Sequence, residues 1–198
     1  MCIICIKRPG LPMPGKTTLY SLWTRNPDGA GFMYACRGEV HIRKGFMNFG
    51  DLLPALAAIP DPEGQPVILH FRITTHGGTC PENTHPFPIL PDPDDLARTE
   101  ADTKAVCVAH NGVLPIRPSR PDLSDTMEFV TRRLAPIRET DPNFLRDEAV
   151  MRRIAKMSAG SRLAFLDREG SIRTTGDWHE DPRTGLLYSN ARFPGFAA

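Results

Sequence analysis

The sequence has no long apolar run, since no stretch approaches the roughly 18 apolar residues that a membrane-spanning helix needs. It also lacks an excess of either charge: 24 basic and 23 acidic residues give a formal net charge of +1 and are scattered along the chain. A basic surface for nucleic acid or an anionic bilayer is therefore not expected. No secretion signal precedes Pro9 and Gly10, so we expect a cytoplasmic protein with no membrane and no nucleic-acid partner.

Cysteine is scarce, and its pattern does not fit the common cysteine frameworks. The five cysteines are an odd number, and no second pair follows Cys2 and Cys5 at the spacing of a zinc ribbon. In an extended strand these two side chains also point to opposite faces. We therefore expect reduced thiols, as in the cytosol.

The composition is that of an ordinary globular domain. The chain has 198 residues, of which 40% are apolar and 24% are charged, so we expect one domain over residues 1–198. Its 20 prolines cluster in what we expect to be irregular connections. One of the connections, residues 26–32 (NPDGAGF), lacks the Lys-Ser/Thr of a phosphate loop. This segment is predicted to form a turn, and its glycines are expected to allow close packing near the functional residues described below.

The apolar pattern predicts helices and strands partly in blocks, which is typical of the α+β class. The first predicted strand is apolar on both faces, which favours a position inside a layered sandwich. Residues 88–104 are predicted to form an exposed insertion. The predicted strands are residues 2–6, 31–35, 40–43, 66–73, 105–109, 161–166, 171–175 and 186–188. The predicted helices are residues 49–59, 125–134 and 141–157, the last opened by Asp141 and Pro142.

Four stretches carry residues suited to chemistry. They are Cys2, the segment HFRITTHGGTCPENTHPF at residues 70–87, HNG at 110–112 and SDT at 124–126. Together they resemble the class II glutamine amidotransferase domain, whose members are N-terminal-nucleophile hydrolases. That family begins its mature chain with Cys, then carries H-x-R-x-x-T-H-G, H-N-G and an Asp-Thr at a helix start, and all four occur here in that order. The resemblance implies a four-layer αββα sandwich with two antiparallel sheets.

The resemblance also implies the catalytic residues. Cys2 matches the nucleophile, which requires removal of Met1. Asn111 and Gly112 match the oxyanion hole. The chemistry of these residue types agrees, because a thiol with an ordinary pKa near 8.5 can pass its proton to an α-amine with a pKa near 8. An Asn side chain and the next backbone N–H can then supply two donors to the oxyanion from one tight turn.

The substrate-binding residues follow from the same resemblance. Arg72 matches the residue that pairs with the substrate α-carboxylate, and Asp125 matches the one that receives the α-ammonium. Thr75 and His76 match neighbours that line the site. A fixed cation and a fixed anion are what a zwitterionic amino acid requires. The predicted small-molecule substrate is therefore glutamine or another γ-glutamyl amide, cleaved through a γ-glutamyl thioester with release of ammonia or an amine.

Each motif alone has a plainer interpretation. Cys2 in isolation is a small apolar residue at a strand start, and Asn-Gly is a common turn dipeptide. Asp125 lies three residues before Glu128, as in a capping box, and can serve as a helix cap, a ligand or both. Asp122 is the alternative carboxylate if the register differs.

The histidines invite a metal-site interpretation. The candidate ligands are His70, His76, Cys80, His85 and His110. Their spacing matches no ordinary ligand frame, so we expect neither a metal nor another cofactor. We expect His70 and His85 to shape the loop by hydrogen bonding. Asn190, in the closing segment YSN, is a further candidate for the site rim.

The wider function is left with alternatives. Larger enzymes of this family fuse the domain to a synthase that consumes the ammonia, and this chain carries no such module. Either a separate ammonia-using synthase subunit is the partner, or the protein hydrolyses a γ-glutamyl amide without transfer. The alternative to an enzyme is a catalytically inactive domain of the same fold that binds an amino-acid-like ligand or a protein partner.

Overall fold

The structure is a computed structural model that describes residues 1–74, 78–194 and 196. Its strands are β1 (Ile3–Lys7), β2 (Ala30–Cys36), β3 (Glu39–Phe46), β4 (Val67–Phe71), β5 (Phe87–Pro88), β6 (Glu100–Thr103), β7 (Cys107–Asn111), β8 (Arg162–Leu166), β9 (Ile172–Thr175), β10 (His179–Glu180) and β11 (Leu187–Tyr188). Its helices are α1 (Lys16–Arg25), α2 (Phe49–Ala57), α3 (Pro93–Ala97), α4 (Asp125–Phe129), α5 (Ala135–Thr140) and α6 (Glu148–Met157). A π-helical turn, Val130–Leu134, joins α4 to α5. Among the described residues, no helix is long and apolar enough to cross a membrane.

The strands of the described residues form two antiparallel sheets. The larger has seven strands in the order β10-β11-β1-β4-β2-β3-β6, and the smaller has four in the order β5-β7-β8-β9. Strand β1 lies inside the larger sheet, with β4 on one side and β11 on the other. The predicted α+β class with two antiparallel sheets is therefore confirmed.

The apolar residues of β1 show how the layers stack. Ile3 and Cys5 pack with α1 and α2 on the outer face of the larger sheet. Ile4 and Ile6 point the other way and pack with residues of β7 and β8 between the two sheets. Alternate residues of a strand point to opposite faces, so a strand buried on both faces is apolar throughout. The predicted position of this strand inside a layered sandwich is therefore confirmed.

The smaller sheet buries its other face under helices. Val108, Leu163 and Phe165 pack there against apolar side chains of α4, the π-helical turn and α6. This apolar cluster holds the start of α4 close to the end of β7. The fold thereby brings SDT at residues 124–126 near HNG at residues 110–112.

The predicted helix over residues 141–157 is wrong in its first part. Helix α6 begins at Glu148, because the Asp147 carboxylate accepts hydrogen bonds from the backbone N–H groups of Ala149 and Val150 at 2.7 and 3.2 Å. Asp141 instead accepts a bond from the Asn143 N–H within a turn. Both aspartates are competent caps, and the second one starts the helix.

The predicted helix over residues 125–134 is too short. The helical path continues through the π-helical turn and α5 to Thr140. Pro136 lies at the start of α5 and has no N–H to donate to the preceding turn. A proline at this point of the sequence therefore favours a helix that ends earlier than the observed one.

Residues 88–104 are not the exposed insertion that was predicted. They contain α3 and β6, and Leu96 of α3 is fully buried. Strand β6 pairs with β3 at the edge of the larger sheet. Its sequence, EADT, has few apolar residues because it is an edge strand that is partly exposed.

Helix α1 was not predicted at all. It follows the Pro/Gly-rich loop that ends at Gly15, and only Leu19 and Leu22 of its residues are buried. Gly15 provides no side-chain cap. An apolar stripe of two residues is too short to give a clear helical period.

The glycines of residues 26–32 allow close packing, as predicted. A Cβ built on Gly31 would lie 2.2 Å from the His85 carbonyl oxygen and 2.5 Å from Cβ of Lys44. Such distances are far inside van der Waals contact. The absent side chain of Gly31 therefore lets β2 lie directly against the backbone at residue 85.

Replacing Gly31 by alanine is expected to lower the free energy of unfolding by about 1–3 kcal/mol, because backbone must shift to admit the methyl group. Urea unfolding of purified protein measures the change. Gly50→Ala is the matched control, since Gly50 lies in α2 with nothing within 4 Å of an added Cβ. Gly31→Ala protein as stable as wild type would contradict the close packing.

Candidate active site

Cys2 lies at the same end of the sheet as Arg72. The register of β1 and β4 ends at the pair Ile3 and Phe71, so Cys2 directly precedes β1 where Arg72 directly follows β4. The Cys2 Sγ lies against the backbone of the next residue, 3.3 Å from the Ile73 nitrogen and 3.4 Å from its carbonyl oxygen. Strand pairing thus brings the thiol beside the motif at residues 70–87.

Three of the predicted residues share one face of their sheets. Cys2 is two and four residues from Ile4 and Ile6, and Arg72 is four residues from Ile68, so each falls on the same face of its strand as those residues. In the same way, Asn111 falls on the face of Cys107 and Ala109. All of these apolar residues pack between the two sheets. Because side chains alternate along a strand, the three polar residues extend this inter-sheet layer at its end, where the strands stop.

Burial raises the pKa of the Cys2 thiol. The Ile73 N–H, the N-terminal ammonium and the Arg72 guanidinium oppose this rise by stabilising a thiolate, without outweighing burial. The thiol therefore keeps its proton at neutral pH. Nucleophilic attack from this position needs a base at the moment of reaction.

Arg72 is a buried cation surrounded by acidic groups. Its Nη1 donates to the Gly78 carbonyl at 2.8 Å, and its side chain is almost inaccessible. Burial lowers the pKa of the guanidinium. Two thiols and two carboxylates lie close enough to oppose that effect, namely Cys2, Cys80, Asp28 and Asp125. The site thus contains a fixed cation that two carboxylates, Asp28 and Asp125, stabilise.

Asp28 was not among the residues predicted for the site. Its Oδ2 accepts a hydrogen bond from the Thr74 N–H at 2.8 Å, and its own N–H donates to the Arg72 carbonyl at 3.1 Å. The turn NPDGAGF therefore lies directly behind Arg72. Nothing in its local pattern distinguishes this aspartate from an ordinary turn residue.

Asn111 ends strand β7 and is fully buried. Its carboxamide Nδ2 lies 2.8 Å from Ser189 Oγ, and the same Oγ accepts the Ile4 N–H at 2.9 Å. Two hydrogen bonds therefore join Asn111 to the strand that begins beside Cys2. This contact spans both sheets.

Gly112 occupies a position that only glycine fits. Its φ is +147°, and a Cβ there would lie 2.4 Å from Ser161 Oγ. The backbone bends at Gly112, where a tight turn was predicted after Asn111. Its backbone leaves the sheet at the point where the inter-sheet layer ends.

Asp125 is the first residue of α4, and it is not the helix cap. The cap is Ser124, whose Oγ accepts the Met127 N–H at 3.2 Å. The Asp125 carboxylate accepts the Leu114 N–H at 2.9 Å and is buried. The capping-box interpretation of Asp125 and Glu128 is therefore wrong.

Asp122, the alternative carboxylate, is exposed at the surface. It pairs with Arg120, with Nη2 and Oδ2 2.5 Å apart. Asp125 is the carboxylate of this segment that acts on Arg72.

Three buried histidines lie beneath the site. The His70 and His85 rings are 4.2 Å apart, and the His85 and His110 rings are 6.1 Å apart. His85 Nε2 and His110 Nδ1 both contact Thr126 Oγ1, at 3.1 and 2.8 Å. His70 Nε2 contacts the His110 carbonyl at 3.0 Å. Since a carbonyl only accepts, His70 carries its proton on Nε2.

These histidines are neutral. Burial lowers the pKa of His70 to about 3 and that of His110 to about 4. Burial likewise holds the pKa of His85 well below its usual value. Within the described residues, no group of three or more His, Cys, Asp or Glu side chains is arranged to hold a metal ion. The hydrogen-bonding role predicted for His70 and His85 matches these contacts.

Asn190 contacts the leading residue. Its Nδ2 donates to the Cys2 carbonyl at 2.8 Å. Ser189 beside it was not predicted for the site. Both follow β11, which pairs with β1, so a prediction of that pairing was the signal that could have found them. Thr75 and His76 lie outside the residues that the structure describes.

Comparisons with known proteins add no assignment. No protein-family model matches the chain, and no curated protein matches it significantly. A function is therefore inferred from the residues and their geometry.

The histidine cluster predicts a loss of stability in mild acid. Histidines of the unfolded chain titrate near pH 6.5, whereas His70 and His110 stay neutral in the folded chain to about pH 4. Between these values the unfolded chain binds more protons. The free energy of unfolding therefore falls with falling pH, by up to about 1.4 kcal/mol per pH unit for each histidine.

His70→Gln retains an N–H donor for the His110 carbonyl but cannot titrate, so it should make this slope shallower. Urea unfolding at several pH values from 7 to 5 measures the slope. His179→Gln is the control, because His179 is exposed on β10, and it should leave the slope unchanged. A His70→Gln slope equal to that of wild type would contradict a buried neutral His70.

Proposed function

We propose that this chain is an N-terminal cysteine amidohydrolase that acts on the side-chain amide of glutamine or a related γ-glutamyl compound. The observation that carries the proposal is the contact of the Cys2 thiol with the Ile73 N–H, directly beside the buried Arg72, at the end where β1 and β4 pair. In this proposal the layered α+β sandwich is the four-layer αββα architecture of the N-terminal-nucleophile hydrolases. The family assignment is that of the class II glutamine amidotransferase domain.

The first step requires a free amine on Cys2. Met1 is 61% exposed, so its peptide bond is open to an aminopeptidase, and a small second residue favours removal. The new α-amine would then lie on the same residue as the thiol. Because burial keeps the thiol protonated, the amine acts as the base and takes its proton as the sulfur attacks.

Substrate binding uses the two opposite charges of an amino acid. The buried Arg72 guanidinium pairs with the α-carboxylate, and the Asp125 carboxylate pairs with the α-ammonium. Both protein groups are held by backbone hydrogen bonds, to the Gly78 carbonyl and from the Leu114 N–H. Such anchoring orients the charges before the substrate arrives, which lowers the entropy cost of binding.

The oxyanion of the tetrahedral intermediate is held by two donors. These are the carboxamide N–H of Asn111 and the backbone N–H of Gly112. As the C–N bond breaks, the protonated α-amine returns its proton to the leaving nitrogen, and ammonia or an amine departs. Water then attacks the γ-glutamyl thioester, and the Cys2 thiolate regains a proton as glutamate leaves. The enzyme is unchanged and needs no cofactor.

Whether the released nitrogen is used further depends on a partner. Hydrolysis alone gives free ammonia, whereas a separate synthase subunit would consume it. The geometry of Cys2 and Arg72 supports the same acyl-transfer chemistry in both cases.

Purified protein lacking Met1 is expected to release glutamate from glutamine or a γ-glutamyl amide, and Cys2→Ala is expected to abolish this release because no nucleophile remains. A coupled glutamate assay and a screen of γ-glutamyl amides measure the activity. Cys36→Ala is the control, since this thiol lies on β2, away from Arg72, and it should leave the rate unchanged.

Equal release by wild-type and Cys2→Ala protein would contradict the proposal. A wild-type protein that binds glutamine without releasing glutamate would instead support the inactive ligand-binding domain.

A further inference from the structure

Ser189 touches both the leading strand and the proposed oxyanion donor. It follows β11 and is fully buried. Its N–H donates to the Ile4 carbonyl at 3.0 Å, and its Oγ accepts the Ile4 N–H at 2.9 Å. The same Oγ lies 2.8 Å from the Asn111 carboxamide. The hydroxyl thus stands between the strand that carries Cys2 and the side chain of Asn111.

The donors and acceptors around Ser189 decide how the Asn111 carboxamide is turned. With Nδ2 toward Ser189, the hydroxyl accepts two bonds, and the buried Asn111 Oδ1 has no partner. An unpartnered buried carbonyl oxygen is costly. With the carboxamide turned by 180°, the Ser189 hydroxyl donates its proton to Oδ1 and still accepts from the Ile4 N–H. Oxygen and nitrogen of an amide have nearly the same shape, so both arrangements fit the same space.

The turned arrangement satisfies both Ser189 and Asn111 Oδ1. It also moves the NH₂ group to the side of the carboxamide that Oδ1 otherwise occupies, where no donor of the described residues reaches the carboxamide. An N–H group placed there is the kind of donor that an oxyanion requires, because it can bind negative charge that develops during reaction. An oxygen in that place would repel the oxyanion.

We propose that Ser189 is a positioning residue: its hydroxyl binds Asn111 Oδ1 and thereby directs the Asn111 NH₂ group toward the oxyanion. This inference rests on the proposed function. Ser189 itself does not touch the substrate. Its effect is exerted in the transition state, since the α-carboxylate and α-ammonium of the substrate are bound by Arg72 and Asp125.

Ser189→Ala should therefore lower kcat by at least about tenfold and at most by the 10²–10³-fold that loss of an oxyanion donor costs. It should leave KM for a γ-glutamyl amide nearly unchanged. Asn111→Ala should cost the full donor effect. If Ser189 acts through Asn111, the double variant should be no slower than Asn111→Ala alone, since two changes on one path are not additive.

Two probes separate this role from simple displacement of Cys2. Turnover of γ-glutamyl-p-nitroanilide passes through an oxyanion, whereas alkylation of the Cys2 thiol by iodoacetamide does not. Ser189→Ala should slow the first and leave the second at the wild-type rate. Equal slowing of both would contradict the proposal, because it would indicate that loss of the Ile4 contact has moved the leading strand.

The outcomes for Ser189 and for the proposed function are distinct. A wild-type protein that does not turn over γ-glutamyl compounds would contradict the proposed function. An active wild type with a Ser189→Ala variant of unchanged kcat would contradict the role of Ser189 alone. If the variant does not fold, NMR of the wild-type chain still decides: strong NOEs from the Asn111 side-chain NH₂ protons to the Ser189 methylene would contradict the proposed orientation, and their absence would support it.

Discussion

The pairing of β1 with β4 is the constraint on which the candidate site depends. Its register ends at the pair Ile3 and Phe71, which places Cys2 and Arg72 at the same end of the two strands. The pairing is held by backbone hydrogen bonds and by apolar side chains on both faces of β1. A terminus that would otherwise fray is thereby fixed in place. The neighbouring strand β11 then brings Ser189 and Asn190 to the other side of the same residues.

The electrostatics of the site follow from the same burial. One guanidinium lies among two thiols and two carboxylates, with three neutral histidines beneath it. Neutral imidazoles next to a buried cation add no further positive charge to the site. A protonated thiol beside this cation is a nucleophile that reacts only when a base is present. In the proposed function, that base is the α-amine freed on the same residue.

The motifs could be predicted from the sequence, because Cys2, Arg72 and Asn111 stand at the ends of apolar runs that strongly favour strands. The α+β class followed from the same runs. What could not be predicted were the contacts made by distant, short elements. Strand β11 lies within the predicted strand 186–188, but its two residues do not indicate which strand they pair with, so nothing local indicated that Ser189 would reach Ile4 and Asn111. Helix starts were equally uncertain wherever two aspartates compete to cap.

The most direct test of the account is the mass of the protein trapped during turnover. Protein mixed with a γ-glutamyl amide and quenched in acid should carry one γ-glutamyl group, on a chain that lacks Met1, and peptide mapping should locate that group on Cys2. The account would be contradicted by the absence of an adduct, by an adduct on another residue, or by turnover by a chain that retains Met1.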